Sequence, residues 1–248
     1  MALRALYWAS MNESVRLEVA RRGFFSGGGF SGSFAPISAK VKNIAFTKEV
    51  SVHYTPDNSN WKDFPLSFLS HFADHDIFNG TINEQVEQLV IRYAVNGQTF
   101  YDNNFGQNYR LDLKLAAIGE NVILNRATAR RGTQAGGGFV FTTSWLEGEI
   151  LVNNLSFVKH VGVRMSADGG STWSDTAASF AGSNMADGTF IGPAEVWRFK
   201  TPELNLNPAS PMLVFAVFYG NGNTGETFWD NNFGQNYAVS NTENSVVA

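Results

Sequence analysis

Apolar and polar positions alternate with a period of two along several stretches of the chain. Val50, Val52 and Tyr54 alternate with Ser51 and His53, and Val161, Val163 and Met165 repeat the arrangement. That period predicts strands with one buried face. Leu89 to Val95 and Leu213 to Tyr219 are apolar runs rich in β-branched and aromatic residues. They read as core strands running into turns at Asn96-Gly97 and at Gly220 to Gly225. Long amphipathic helical patterns are missing, and a single helical turn is expected near Asn83 to Glu87. Many short strands joined by Gly- and Asn-rich turns predict an all-β antiparallel sandwich.

The pattern occurs twice. Residues 100 to 109 read FYDNNFGQNY and residues 228 to 237 read FWDNNFGQNY, nine identities in ten. Upstream, Ala20-Arg21-Arg22-Gly23 with Gly27-Gly28-Gly29-Phe30 matches Ala129-Arg130-Arg131-Gly132 with Gly136-Gly137-Gly138-Phe139. Asn43 to Val52 answers Asn154 to Val163, Trp61 answers Trp173, and Phe68 answers Phe180. The offset grows from 109 through 112 to 128, so the second copy carries its insertions mainly between Ala181 and Asn223, where Pro193, Pro202, Pro208 and Pro211 fall. Copy one is placed at 14–116 and copy two at 120–241, joined around Ile118 to Asn121. Units of this length indicate two tandem domains, since solenoid repeats are shorter.

Composition narrows the chemistry. The 248 residues carry 18 basic and 22 acidic side chains, a net charge of −4 that argues against a phosphate-driven nucleic-acid partner. No apolar run is long enough for a membrane-spanning helix, so no membrane partner is expected. Met1 to Trp8 (MALRALYW) lacks the apolar core of a signal peptide. A cytoplasmic protein is therefore expected, or one secreted without a recognisable signal peptide. With no cysteine there is no thiol chemistry. The telling bias is aromatic, with 21 Phe, 7 Tyr and 6 Trp.

The series Asn-x-x-Phe-x-Lys-x-Val-x-Val, a Trp after an Asp-rich turn, and a closing Tyr/Trp-Asp-Asn-Asn-x-Gly-x-Asn-Tyr resembles carbohydrate-binding module family 21. The resemblance covers both halves. It implies that each copy is an eight-stranded immunoglobulin-like sandwich binding α-1,4-linked glucan on exposed rings. Its first site implies Trp61 with Tyr101, and Trp173 with Trp229. Its second site implies Phe46 with Phe68, and Phe157 with Phe180. Polar partners carried over are Asn43, Lys48, Asn103 and Asn108, with Asn154, Lys159, Asn231 and Asn236. The chain departs from some members at Val90 and Ala216, where they carry an aromatic on the penultimate strand. It departs again at Phe105 and Phe233, where some carry Asn.

The residue types suit a sugar on physical grounds. A pyranose has an apolar C–H face and a rim of hydroxyls, so a flat ring covers the face while amides and ammonium groups satisfy the rim. Most of the Phe must nevertheless build the core, and Asp102 and Asp230 read as turn-forming residues through side-chain-to-backbone bonds.

Other chemistries fit less well. Glycoside hydrolysis needs two carboxylates flanking one bond, and the repeated motif supplies one acid per copy, Asp102 or Asp230. His71-x-x-x-His75 with Asp74 and Asp76 is placed in a loop, without the helical facing a metal pair uses, and copy two has no equivalent. GGGFSG and GNGNTG fit G-x-G-x-x-G by spacing but open no helix, so they read as turns. No catalytic residue, metal or cofactor is expected. The expected function is non-catalytic, bivalent, lectin-like binding of starch, glycogen or malto-oligosaccharides. Alternatives are a glycogen-targeting scaffold for a protein phosphatase, for which Lys42-Asn43-Ile44-Ala45-Phe46 superficially fits a docking pattern, and an accessory fragment of an amylolytic enzyme. No particular protein partner is implied.

Overall fold

The computed structural model describes residues 14–72, 74–112, 116–136, 139–186, 188, 191–192, 194–205, 212–240 and 245–247. The leader reading at Met1 to Trp8, the glycines Gly137 and Gly138, and Pro193, Pro208 and Pro211 lie outside them. The chain divides into two compact units, Met1–Gly119 and Glu120–Ala248.

Unit 1 consists of β1 (Val15–Arg21), β2 (Gly23–Gly27), β3 (Phe30–Lys42), β4 (Lys48–Thr55), β5 (Lys62–Pro65), β6 (Ser67–Phe72), β7 (His75–Ile82), β8 (Gln88–Val95), β9 (Gln98–Asp102), β10 (Tyr109–Arg110) and β11 (Ala116–Ile118). One antiparallel sheet runs β11-β1-β3-β7-β6 with β2 on β3, and the other β10-β8-β4-β5 with β9 on β8. The strand count exceeds eight because the β2–β3 hairpin and short pieces such as β10 and β11 extend the frame.

Unit 2 repeats this with β12 (Val122–Gly136), β13 (Phe139–Val152), β14 (Lys159–Ser166), β15 (Ser174–Ala177), β16 (Ser179–Gly182), β17 (Glu195–Lys200), β18 (Leu204–Asn205), β19 (Met212–Asn221), β20 (Thr227–Asp230), β21 (Tyr237–Ser240) and β22 (Ser245–Val247). Its sheets run β16-β17-β13-β12-β22 with β18 on β13, and β15-β14-β19-β20 with β21 on β19. β22 pairs with β12 beyond the expected end of copy two.

The period-two pattern decides which face is inside. Val50, Val52 and Tyr54 of β4 and Leu89, Ile91, Tyr93 and Val95 of β8 are buried, whereas Ser51, His53 and Arg92 face outward and stay partly accessible. Val161, Val163 and Met165 of β14 face Leu213, Phe215, Val217 and Tyr219 of β19 in the same way. Each fully buried aliphatic side chain contributes roughly 1.5–3 kcal/mol.

The helical turn expected near Asn83 to Glu87 does not form, and no helix occurs among the described residues. Val86 is fully buried, and Glu87 donates its N–H to the Thr55 carbonyl (2.8 Å) while its own carbonyl accepts from Leu111 (2.8 Å). Those cross-strand bonds replace the local ones a helical turn would need.

Candidate functional site

Each closing motif is built around its aspartate. Asp102 accepts the Leu17 N–H (2.6 Å) and the Tyr109 hydroxyl (2.9 and 2.8 Å), and Asp230 accepts the Leu124 N–H (2.7 Å) and the Tyr237 hydroxyl (2.9 and 2.8 Å). Burial pushes the Asp102 carboxyl above its ordinary range, against the opposing pull of the Leu17 and Tyr109 hydrogen bonds. Both aspartates therefore lock the closing motif to the first strand of their unit. The turn they hold is left-handed at Asn104, Phe105 and Asn108 (φ 51°, 56° and 53°) and at Asn232, Phe233 and Asn236 (φ 52°, 55° and 60°). Asparagine tolerates that region, whereas an aromatic there is strained. Asn103 and Asn231 each accept a glycine N–H, from Gly106 and Gly234, at 3.0 Å.

The turns before Trp61 and Trp173 are also carboxylate-capped. Asp57 accepts the N–H groups of Asn60 (2.8 Å) and Ser59 (2.9 Å), which hold its carboxyl well below the usual range. Asp168 accepts the Thr172 hydroxyl (2.6 Å) and N–H (2.9 Å), lowering its pKa to about 2. Asn58 accepts a hydrogen bond from Gln88, whose amide oxygen accepts one from Asn108 (3.1 Å). In unit 1 this relay fixes the Trp61 turn against the closing turn.

Trp61 is 38% exposed and stacks on His53, centroids 4.8 Å apart and planes 11° from parallel. His53 pairs with Val90 on β8, and the next outward position of that strand, Arg92, pairs with Tyr101. Tyr101 is 51% exposed. The two rings thus occupy adjoining rows of one outward sheet face, with rows roughly 7 Å apart along the strand.

Unit 2 places its rings differently. Trp173 is exposed and donates its indole N–H to the Gly170 carbonyl (3.0 Å). Trp229 is half-buried, 5.3 Å from Phe218 at an interplanar angle of 46°, with the Arg164 guanidinium 5.0 Å over it. Arg164 is held by Asp175 through two bonds (2.6 and 2.7 Å). Ala216 is buried opposite Arg164, and the ring supplied by this strand is Phe218, directly across from Trp229. An open groove of about 420 Å³ lies beside these residues. His53, Arg92, Arg164 and Phe218 were not picked out from the sequence. Their outward position was already encoded in the alternation along β4 and β8 and its counterpart in unit 2.

The second set of rings sits elsewhere. Phe46 and Phe157 are fully exposed in the connections before β4 and β14, and Phe68 and Phe180 are 58% exposed on β6 and β16. Phe68 packs edge-on against Phe78, and Phe180 against Trp197. Lys48 and Lys159 do not present their ammonium groups to solvent. Lys48 is ion-paired with Asp76 and donates to Asn43 (2.7 Å), while Lys159 pairs with Glu195 (3.1 Å) and donates to Asn154 (2.8 Å). The lysine side chains are only 5% and 4% exposed, so they position the asparagine amides and tie the strand after the first phenylalanine to the strand pair bearing the second.

The histidines placed in a loop lie on strands: His71 on β6 faces Asp76 on β7 (2.6 Å), and buried His75 bonds Asp74 (2.9 Å). Burial would raise the Asp76 carboxyl, but the hydrogen bonds and charges of Lys48 and His71 outweigh it and hold it low.

The sequence pattern described as carbohydrate/starch-binding module (family 21) matches residues 37–112 and 122–240. Glucoamylase 1 of Rhizopus oryzae is 30% identical over 95 residues, 35% of this chain and 15% of the relative. Human protein phosphatase 1 regulatory subunit 3B is 33% identical over 85 residues, 30% of this chain and 30% of the relative. The chain thus spans less than a third of the length of these curated relatives. Among solved structures, the starch-binding domain of Rhizopus oryzae glucoamylase, in complex with β-cyclodextrin and maltoheptaose, is 28% identical over 39% of this chain and 91% of its own, with a TM-score of 0.30. The carbohydrate-binding module of the muscle glycogen-targeting subunit of protein phosphatase-1 is also 28% identical, over 45% of this chain and 74% of its own, with a TM-score of 0.29.

Proposed function

The chain belongs to carbohydrate/starch-binding module family 21, and from that premise we propose that it is a non-catalytic binder of α-glucan with a working site in each unit. The carrying observation is duplication of the surface chemistry. Each unit exposes a tryptophan after an Asp-capped turn and a lysine-held asparagine beside an exposed phenylalanine, and each places a second ring before the closing aspartate, exposed at Tyr101 and half-buried at Trp229. The pyranose face stacks on the rings while the amides meet the hydroxyl rim. The only acids repeated in the closing motif, the partly buried Asp102 and the fully buried Asp230, are bonded to tyrosine and backbone, which suits them to structure rather than to general acid–base work.

Each open platform should bind weakly on its own. Two on one chain raise avidity by about 10²–10⁴ when both reach the same polymer. The test is binding of soluble starch by a chain with Trp61, Tyr101, Trp173 and Trp229 all changed to alanine. Loss of binding with an intact fold supports the assignment, and undiminished binding rejects these four residues.

A second reading has its own observation. Regulatory subunits of protein phosphatase 1 are among the relatives, and Ile44 and Phe46 of the Lys42–Phe46 stretch are exposed. A scaffold tethering a phosphatase to glycogen would use the same glucan platforms. Retrieval of a phosphatase catalytic subunit from cell extract, lost on changing Ile44 and Phe46 to alanine, would favour it.

A further inference from the structure

The ground beside the first site differs between the units. In unit 1 the β8–β9 hairpin closes with the pair Val95 and Gln98 around the two-residue turn Asn96-Gly97. In unit 2, Asn221 donates its N–H to the Glu226 carbonyl (2.8 Å) and four residues, Gly222 to Gly225, separate them. This longer turn is internally braced. The Asn221 side-chain oxygen accepts the N–H groups of Asn223 (3.0 Å) and Thr224 (3.3 Å), and Glu226 accepts the Thr224 hydroxyl (3.0 Å).

The floor differs as well. Where unit 1 has Ser51 paired with Arg92, unit 2 has Gly162 paired with Phe218. A Cβ at Gly162 would lie 2.7 Å from the Phe218 ring, so the ring lies down across the strand only because residue 162 is glycine. Where unit 1 has Glu49 paired with Ala94, unit 2 has His160 paired with Gly220, and Gly220 pairs on with Thr227. The groove of about 420 Å³ runs along this floor from Trp229 to the braced turn. It is an open groove and not an enclosed cavity.

We propose that this groove is an additional sugar subsite specific to unit 2, taking the next glucose residue of an α-glucan whose neighbouring residue stacks at Trp229. It rests on the glucan reading above. The Phe218 ring and the bare strand at Gly220 receive the apolar face of the sugar. The Glu226 carboxylate, the Thr227 hydroxyl and the His160 imidazole stand at the rim as acceptors and donors for its hydroxyls. Unit 2 then discriminates by chain length, gaining affinity from short to longer malto-oligosaccharides, where unit 1 offers no such extension.

The test is an NMR titration of the full chain with maltose and with maltohexaose, followed at the Trp229 indole N–H and at the amides of Gly222 to Thr227. Maltohexaose is expected to move both sets, maltose only Trp229, with affinity at Trp229 about tenfold higher for the longer sugar. Replacing Gly222–Gly225 by Asn-Gly should collapse that ratio. Gly220→Val, which fills the floor without altering the turn, should do the same and covers failure of the shortened turn to fold. A ratio near one in the native chain, or one that survives both variants, overturns the subsite while leaving glucan binding at Trp229 standing. No shift at Trp229 with either sugar overturns the glucan reading and the subsite together.

Discussion

The indole of Trp61 lies parallel to the imidazole of His53, 4.8 Å away, and His53 is itself bonded to Asp63 (2.8 Å). A flat ring clamped in this way keeps one face against the protein and its orientation fixed. Binding then spends little conformational entropy on ordering the platform. Trp61→Ala should weaken malto-oligosaccharide binding in unit 1 by about 30-fold, the scale of a central aromatic contact, with little change in denaturation midpoint. Calorimetry and urea unfolding on the same variant check both halves.

Asp102 and Asp230 should behave in the opposite way. Asp102→Ala strands a buried N–H at Leu17 and removes one acceptor of the Tyr109 hydroxyl, which keeps the Gly119 carbonyl (2.9 Å), costing about 3 kcal/mol in unit 1. Asp102→Asn keeps an acceptor and should cost less. Urea unfolding should show the loss, and glucan affinity of the remaining folded protein should be unchanged.

Much of this was legible in the sequence, and the reasons are specific. Alternation at Val50, Val52 and Tyr54 announced the inward face of β4, and the near-identical closing motifs announced two copies. Nothing local announced that Lys48 would be buried, because its partner Asp76 lies 28 residues away on another sheet. The helical turn near Asn83 failed for the same reason, since Val86 is recruited to the core by tertiary packing. Phe218 escaped notice because its place beside Trp229 depends on Gly162, a residue on the adjacent strand.

Acid should loosen unit 1 through Asp76. Its folded pKa is depressed, so its stabilising contribution is fully present above the unfolded value of about 4 and is lost as pH falls through the folded value. Asp76→Asn, which leaves Lys48 buried without its counter-charge, should cost about 3–5 kcal/mol near neutrality. The gap from the native chain should close below about pH 4. Thermal unfolding followed from pH 3 to 7 checks the sign.

Gly162→Val should damage unit 2 alone. The new side chain meets the Thr176 carbonyl at 2.5 Å and the Phe218 ring at 2.7 Å, so Phe218 must leave its place beside Trp229. Lower stability of unit 2 and weaker glucan binding there are expected together. The equivalent change at Ser51 of unit 1, Ser51→Val, should be tolerated because a side chain already stands there.

The decisive measurement is co-sedimentation of the full chain with granular starch, followed by calorimetry with maltoheptaose and, in parallel, cellohexaose. Binding to starch and maltoheptaose with more than one site per chain, and none to the β-linked cellohexaose, is the predicted result. Absence of binding to starch and maltoheptaose, or equal binding of the two oligosaccharides, would contradict α-glucan recognition by these platforms.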